Sequence, residues 1–376
     1  MQIIPIASGK GGVGKSLLSA NLAVALGQLG KKVVLADLDL GASNLHLAIG
    51  QNAPKVGIGT FLSGESKFAD IIQPTDYMNV SFIAGDSEIP GLSALKLSQK
   101  NALVKNFKNL DADYLILDLG AGTHTMILDL FLLSPQGIVV TAPTVTATLN
   151  GYLFLKNAVF RLMSATFKKG SKAFAYLNKL RADSATMQRL YVPKLIEAIA
   201  AVDPENAKKF SDKMQTFRPR LIMNMIDEPK DADKALKIRR SCQTYLGLDV
   251  EHLGVMYRDS LQDKALASRM PVVTYKKNSV LTQAIYRITE KILQSETLEF
   301  DDVDINDTYD IAAEEASDDF TAKITVVEDI LGSGTFTVGE LAETIKTQQY
   351  EINQLRNENT LLKSKLVQAS KLGFKL

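Results

Sequence analysis

Gly9-Lys10-Gly11-Gly12-Val13-Gly14-Lys15-Ser16 decides the reading of this chain. The octet satisfies the spacing Gly-x-x-x-x-Gly-Lys-[Ser/Thr], and its position matters as much as its letters. It follows the apolar run Ile3–Ala7 and precedes a helical stretch, Leu17–Leu29, that Gly30 closes. Glycines let successive backbone N–H groups converge on phosphate oxygens without Cβ clashes. The start of a helix adds partial positive charge at the same place. Gly9, Lys10, Gly11, Gly12, Val13, Gly14, Lys15, Ser16 and Leu17 therefore form the expected nucleotide-binding set. Lys15 is placed to reach the β and γ phosphates, and the Ser16 hydroxyl to ligate Mg²⁺.

Working outward, residues 1 to about 294 alternate short apolar runs with helical segments. The runs are Ile3–Ala7, Val33–Ala36, Val80–Ala84, Tyr114–Leu117, Gly137–Thr141, Leu221–Asn224 and His252–Met256. That alternation predicts an α/β fold with a mostly parallel, doubly wound sheet. Pro5 is awkward inside a first strand, since proline cannot donate to the ladder. Two runs end in carboxylates. Asp37 and Asp39 lie at i and i+2 of one strand end, so both point toward the crevice at the sheet's carboxyl edge. Two unpaired carboxylates inside a core are costly, which argues against burial. Leu115-Ile116-Leu117-Asp118 leads into Leu119-Gly120-Ala121-Gly122, a strand ending in one aspartate followed by glycines that let a loop move.

With Lys10 beside Gly11, the loop resembles the deviant Walker A sequence of the MinD/ParA group of P-loop ATPases, in particular its FlhG branch. The resemblance covers residues 1–163 and about 217–294 and implies a SIMIBI-type P-loop fold. It implies that Lys10 crosses an ATP-sandwiched homodimer to the partner's phosphates and that Asp39 orients the attacking water and supports Mg²⁺. It further implies that Asp118 holds Mg²⁺ through water and that Asn44 is an interface residue. Asn224, at the end of Leu221–Asn224, matches the residue that reads adenine in this class; a turn-forming asparagine is the bland alternative. The catalytic set is thus Lys10, Lys15 and Asp39, the metal set Ser16, Asp39 and Asp118, and the cofactors ATP and Mg²⁺, with ATP over GTP resting on the resemblance. The sequence departs from the pattern at Thr144, where a glutamate usually stands, and in Gly254–Asp259, which lacks the usual proline. The N-terminal leader of FlhG proteins and the Cys-x-x-Cys of related iron–sulfur carriers are expected to be absent.

The rest of the chain has no counterpart in that group. Residues 164–216 read as a helical insertion with basic residues Lys168, Lys169, Lys172, Lys179, Arg181 and Arg189. These form either a solvated face or a contact surface for an acidic partner or DNA. Residues 295–336 read as an acidic, disordered linker, because residues 296–320 carry acidic side chains and no lysine or arginine. From 337 to 376 a heptad pattern emerges, with Val338, Ile345, Ile352, Asn359 and Leu366 at one core position and Leu341, Gln348, Leu355, Leu362 and Ala369 at the other. A coiled coil and an amphipathic helix docked on its own domain both fit. The apolar and basic tail, Lys363 to Leu376, reads as an anchor for an anionic membrane or as the frayed end of the coil.

Bulk composition narrows the classes. The 376 residues carry 43 basic and 42 acidic side chains, so net charge gives no general attraction to polyanions. A single cysteine, Cys242, excludes an internal disulfide framework and suggests a reducing, cytoplasmic setting. No stretch approaches the roughly 20 apolar residues of a spanning helix. The expectation is a slow Mg²⁺-dependent ATPase that dimerises on ATP. It would act as a spatial switch with a protein partner in a flagellar or polar system, peripheral to the membrane where it meets one. A DNA-binding partition ATPase and a non-catalytic scaffold are the alternatives, and an iron–sulfur or metal-insertion ATPase is a third to which Cys242 alone gives little room.

Overall fold

The computed structural model describes residues 1–39, 43–85, 96–182, 191–295 and 304–332. The strands are β1 (Gln2–Ser8), β2 (Val33–Leu38), β3 (Ile72–Pro74), β4 (Val80–Ile83), β5 (Tyr114–Ala121), β6 (Ile138–Thr141), β7 (Arg220–Ile226) and β8 (Glu251–Tyr257). They form one sheet in the order β3-β4-β2-β5-β1-β6-β7-β8. Every pairing is parallel except β3 with β4. Seven strands coincide with the apolar runs of the sequence. The eighth, β3, is three residues ending in a proline at the sheet edge, too short to leave a periodic signal.

Pro5 fits β1 for a geometric reason. Gln2 N–H donates to Asp113 O on the β5 side. Alternate residues share that direction, so Pro5 faces the other flank. There β6 joins β1 only from Ile6 onward, so the missing N–H breaks no rung.

The helices are α1 (Lys15–Gln28), α2 (Leu45–Ala48), α3 (Ile58–Ser63), α4 (Leu97–Lys108), α5 (Thr125–Phe131), α6 (Val145–Thr166), α7 (Lys172–Ala182), α8 (Val192–Val202), α9 (Pro204–Thr216), α10 (Lys234–Ser241), α11 (Leu261–Ala267), α12 (Val272–Tyr275), α13 (Val280–Gln294) and α14 (Ile305–Gly332). They divide the core in two. Val34, Ala36 and Leu38 of β2 and Leu115, Leu117 and Leu119 of β5 pack into one cluster with α4, α5, α6 and the inserted helices α7–α9. Val33 and Leu35 of β2 and Tyr114 and Ile116 of β5 pack into the other with α1, α12 and α13. Residues alternate between faces, so Asp37 and Asp118, which pair in register, both fall on the α1 side. That parity builds the site.

The region 164–216 is helical in its described residues. α6 runs into it as one 22-residue helix, and Phe167 meets Phe210 edge to face at 6.1 Å. The Asp203 carboxylate accepts from Asn206 N–H at the start of α9 and from Ala173 N–H of α7, at 3.3 and 3.1 Å, joining the two helices.

The acidic stretch differs from expectation. The chain divides into two compact units, Met1–Phe320 and Thr321–Leu376. Within the first, residues 305–320 are helical rather than extended. Ile305, Tyr309, Ala312 and Ala316, spaced four, three and four apart, are buried. Tyr309 Oη donates to Val250 O at 2.9 Å, Tyr257 Oη donates to Ala316 O at 2.7 Å, and His252 N–H donates to Thr308 Oγ1 at 3.2 Å. Arg287 pairs with Asp319, and Lys291 pairs with Glu315 at 2.7 Å. The segment thus lies along β8 at the sheet's border. Glu315 and Asp319 find their cations on α13, which a count confined to residues 296–320 leaves out. Of the second unit only residues 321–332, all helical, are described; the heptad region and the basic tail lie outside the described residues, as do residues 296–303.

This packing predicts that Tyr309→Ala destabilises the protein by about 3–5 kcal/mol in urea unfolding. Tyr309→Phe, which keeps the ring and loses one hydrogen bond, should cost about 1 kcal/mol. An effect of Tyr309→Ala near zero would mean that the acidic segment does not contribute to the fold.

Candidate functional site

The site forms where β1, β2, β5 and β7 end. β1 runs out at Ser8, the glycine loop turns, and α1 begins at Lys15. Gly12 and Gly14 take positive φ, +77° and +84°, and Gly14 caps the helix. Gly9 is required by proximity: a Cβ there would lie 2.0 Å from the Asn150 carbonyl oxygen of α6. A Cβ on Gly14 would lie 2.3 Å from Asn224 Nδ2. Space opens beside Gly11 and Gly12, where an added Cβ would meet nothing within 4 Å.

The two lysines of the loop sit in opposite environments. Lys15 is 7% exposed, and its Nζ reaches Asp118 Oδ1 at 2.7 Å and Ser16 Oγ at 3.4 Å. Lys10 is exposed and donates to Thr146 Oγ1 of α6 at 3.2 Å. Asp118, 1% exposed, also accepts from Ser19 Oγ at 2.9 Å, whereas its Oδ2 is buried with no hydrogen-bond partner among the described residues. Ser19 escapes motif reading because it lies one helical turn beyond Lys15, past the end of the pattern.

Asp37 is a correction. It does not face an open crevice: it is 1% exposed, and its carboxylate accepts from Ser43 Oγ at 2.7 Å, Leu45 N–H at 3.2 Å and Asp39 N–H at 3.1 Å. Burial is affordable because every bond comes from its own loop. Burial and the neighbouring Asp118 push its carboxyl up to about 6 against those hydrogen bonds. Asp39 is half-buried, with Oδ1 3.2 Å from where a Gly120 Cβ would stand. Its carboxyl is raised, first by burial and then by Asp118, against the opposing charge of Lys15.

The remaining candidates are spread around this centre. Asn224 is buried and donates from Nδ2 to Val13 O at 2.8 Å, while its Oδ1 accepts from Met225 N–H at 2.8 Å. Met225 has φ +58°, at an irregularity of the β7–β8 pairing. In this arrangement Asn224 clamps the glycine loop to β7. Asn44 is exposed at the start of α2, and Leu17 is half-buried in the first turn of α1. Thr144 caps α6, accepting from Ala147 N–H at 3.3 Å. Asp259 accepts from Leu261 N–H at 2.9 Å at the start of α11.

A strand, a glycine loop with two left-handed turns and a helix whose first lysine meets the acidic end of the neighbouring strand define a P-loop nucleotide-binding domain. The profile of the CobQ/CobB/MinD/ParA nucleotide binding domain matches residues 4–272, and the chain belongs to that family. Similar proteins include the antiactivator FleN of Pseudomonas aeruginosa, 29% identical over 160 residues, which are 42% of this chain and 56% of that protein. The flagellum site-determining protein YlxH of Helicobacter pylori is 34% identical over 160 residues, 41% of this chain and 53% of that one. The chain thus spans about half the length of the curated relatives it matches. Among solved structures, the septum site-determining protein MinD complexed with Mg-ADP from Pyrococcus horikoshii superposes with a TM-score of 0.52 at 22% identity, covering 79% of this chain and 97% of that one. No described helix is long and apolar enough to cross a membrane.

The state of Asp37 yields a signed pH dependence. Its folded pKa lies above the unfolded 3.8, so the folded form binds the proton first as pH falls. Relative to Asp37→Asn, the wild type should therefore gain up to about 3 kcal/mol of stability between pH 7 and pH 4. Urea unfolding of both proteins across that range measures it; a constant difference would mean that Asp37 titrates normally.

Proposed function

We propose that this chain is a Mg²⁺-dependent ATPase that dimerises on ATP and serves as a spatial switch in flagellar placement or number. The observation that carries the reading is the contrast between the two loop lysines. Lys15 is buried on Asp118, inside its own subunit; Lys10 is exposed beside α6, where a second copy can be reached. The relatives' names, an antiactivator and a flagellum site-determining protein, support the cellular assignment.

The residues present fit the nucleotide and the metal. The open side of Gly11 and Gly12 leaves room against the loop amides, and the bare Asp118 Oδ2 is an acceptor in need of a cationic or donor partner. Ser16 and Asp118, with Asp39 in support, would hold Mg²⁺, which when bound neutralises charge on the phosphate oxygens. Lys15 would exchange Asp118 for phosphate, so that binding is coupled to the strand end. Asp39, raised above the usual carboxylate range, would hold the attacking water and take its proton. Asn44 belongs to the dimer face in this scheme, while Asn224, which the resemblance matches to a base-reading residue, acts here on the glycine loop through Val13.

The test is light scattering coupled to size exclusion with ATP, using the full chain and a chain ending at Phe320, which retains the packed acidic helix. Asp39→Ala should lower turnover by about 10²-fold or more and accumulate an ATP dimer. Lys10→Ala should bind ATP and stay in the state of the nucleotide-free protein. If wild type and both variants show the same association with and without ATP, the switch reading fails.

A further inference from the structure

Far from the glycine loop, α4, α5, α6 and α9 converge on a groove of about 570 Å³. Its floor is apolar, formed by Val104, Leu132, Leu133, Leu162 and Ala165. Its rim carries Lys100, Lys105, Lys108 and Lys213 against one carboxylate, Asp129. That carboxylate is already taken: Lys100 Nζ contacts it at 2.6 Å and Arg161 binds it through two nitrogens at 2.5 and 2.9 Å. Lys105, Lys108 and Lys213 are exposed and form no ion pair with a described residue. The groove therefore pairs an apolar floor with uncompensated positive charge.

The shape favours a chain segment over a small molecule. A second hollow of about 520 Å³, lined by Ile3 and Pro135 among others, shares Lys108 and Leu133 with the first, so the depression is elongated. It runs toward the start of β1, whereas the glycine loop follows the end of that strand. An occupant would leave the nucleotide site clear. The chemistry also separates protein from nucleic acid. Phosphates would meet the lysines, but no aromatic or arginine side chain lines the groove to stack on a base. An amphipathic helix would set its apolar stripe on the floor and bring flanking carboxylates to the rim.

We propose that this groove is a docking site for an acidic amphipathic helix of a partner protein, with Val104, Leu133 and Leu162 receiving its apolar stripe and Lys105, Lys108 and Lys213 its carboxylates. The site is separate from the proposed dimer face and stands whether or not the chain hydrolyses ATP.

The test is fluorescence anisotropy on the full chain with a labelled helix-forming peptide carrying leucines at i, i+3, i+4 and i+7 flanked by glutamates. The comparison probes are a scrambled peptide of the same composition with no apolar face, and a labelled duplex oligonucleotide. The amphipathic peptide should bind about tenfold or more tightly than the scrambled one. Lys105→Glu/Lys108→Glu/Lys213→Glu should weaken it about tenfold or more, and Val104→Gln, which leaves the charges in place, should also weaken it. Circular dichroism of both variants should match the wild type. The proposal is overturned by equal binding of the two peptides, by no measurable binding, by variants that bind as the wild type does, or by an oligonucleotide that binds more tightly with a steep salt dependence.

Discussion

Negative charge gathered at the buried ends of β2 and β5 is the constraint on which the site depends. Asp37 and Asp118 sit side by side in register on the α1 face, both 1% exposed. Such a pair costs several kcal/mol of desolvation unless donors reach it. The two carboxylates are satisfied in different ways. Asp37 is closed by its own following loop, through Ser43, Leu45 and Asp39. Asp118 is met by Lys15 and Ser19 across the sheet-to-helix boundary, and one of its oxygens has no hydrogen-bond partner among the described residues. The first arrangement fixes a scaffold. The second leaves an interaction that can be exchanged, which is what a nucleotide-responsive site requires.

The glycine loop is gripped from three directions. Lys15 ties it to β5, Asn224 ties the Val13 carbonyl to β7, and Gly9 lies against the Asn150 carbonyl while Lys10 reaches Thr146 on the same helix. Thr146 and Asn150 are four apart on α6 and therefore share a face. The loop is thus in direct contact with α6, β5 and β7. The glycines serve two different ends: at Gly12 and Gly14 the left-handed backbone is needed, and at Gly9 the need is contact distance.

The acidic segment shows how charge composition misleads when it is read locally. Two of its described carboxylates, Glu315 and Asp319, find cations outside the segment. Arg287 and Lys291 stand on α13, and Ile305, Tyr309, Ala312 and Ala316 seat the helix along β8. Its side chains reach the His252 N–H of β8 and the Val250 carbonyl just before it, along a strand that no further described strand pairs, which protects an exposed edge.

What the sequence determined by itself was local and periodic. Seven apolar runs alternating with helical stretches specified a parallel sheet. The octet Gly9–Ser16 specified a phosphate loop, because glycine spacing and a following helix are sufficient physical causes. Asp118 at a strand end followed from the same logic. Tertiary structure decided everything that rests on parity and pairing. Whether Asp37 was open or closed depended on Ser43 and Leu45 folding back onto it. Ser19 and Asn150 became part of the site only when α1 and α6 were set against the sheet. The fate of the acidic segment depended on cations on a separate helix. Hydrophobic period and turn chemistry act between near neighbours and are written in order along the chain. The desolvation of a charge is set by whatever surrounds it in space, and only the fold supplies that.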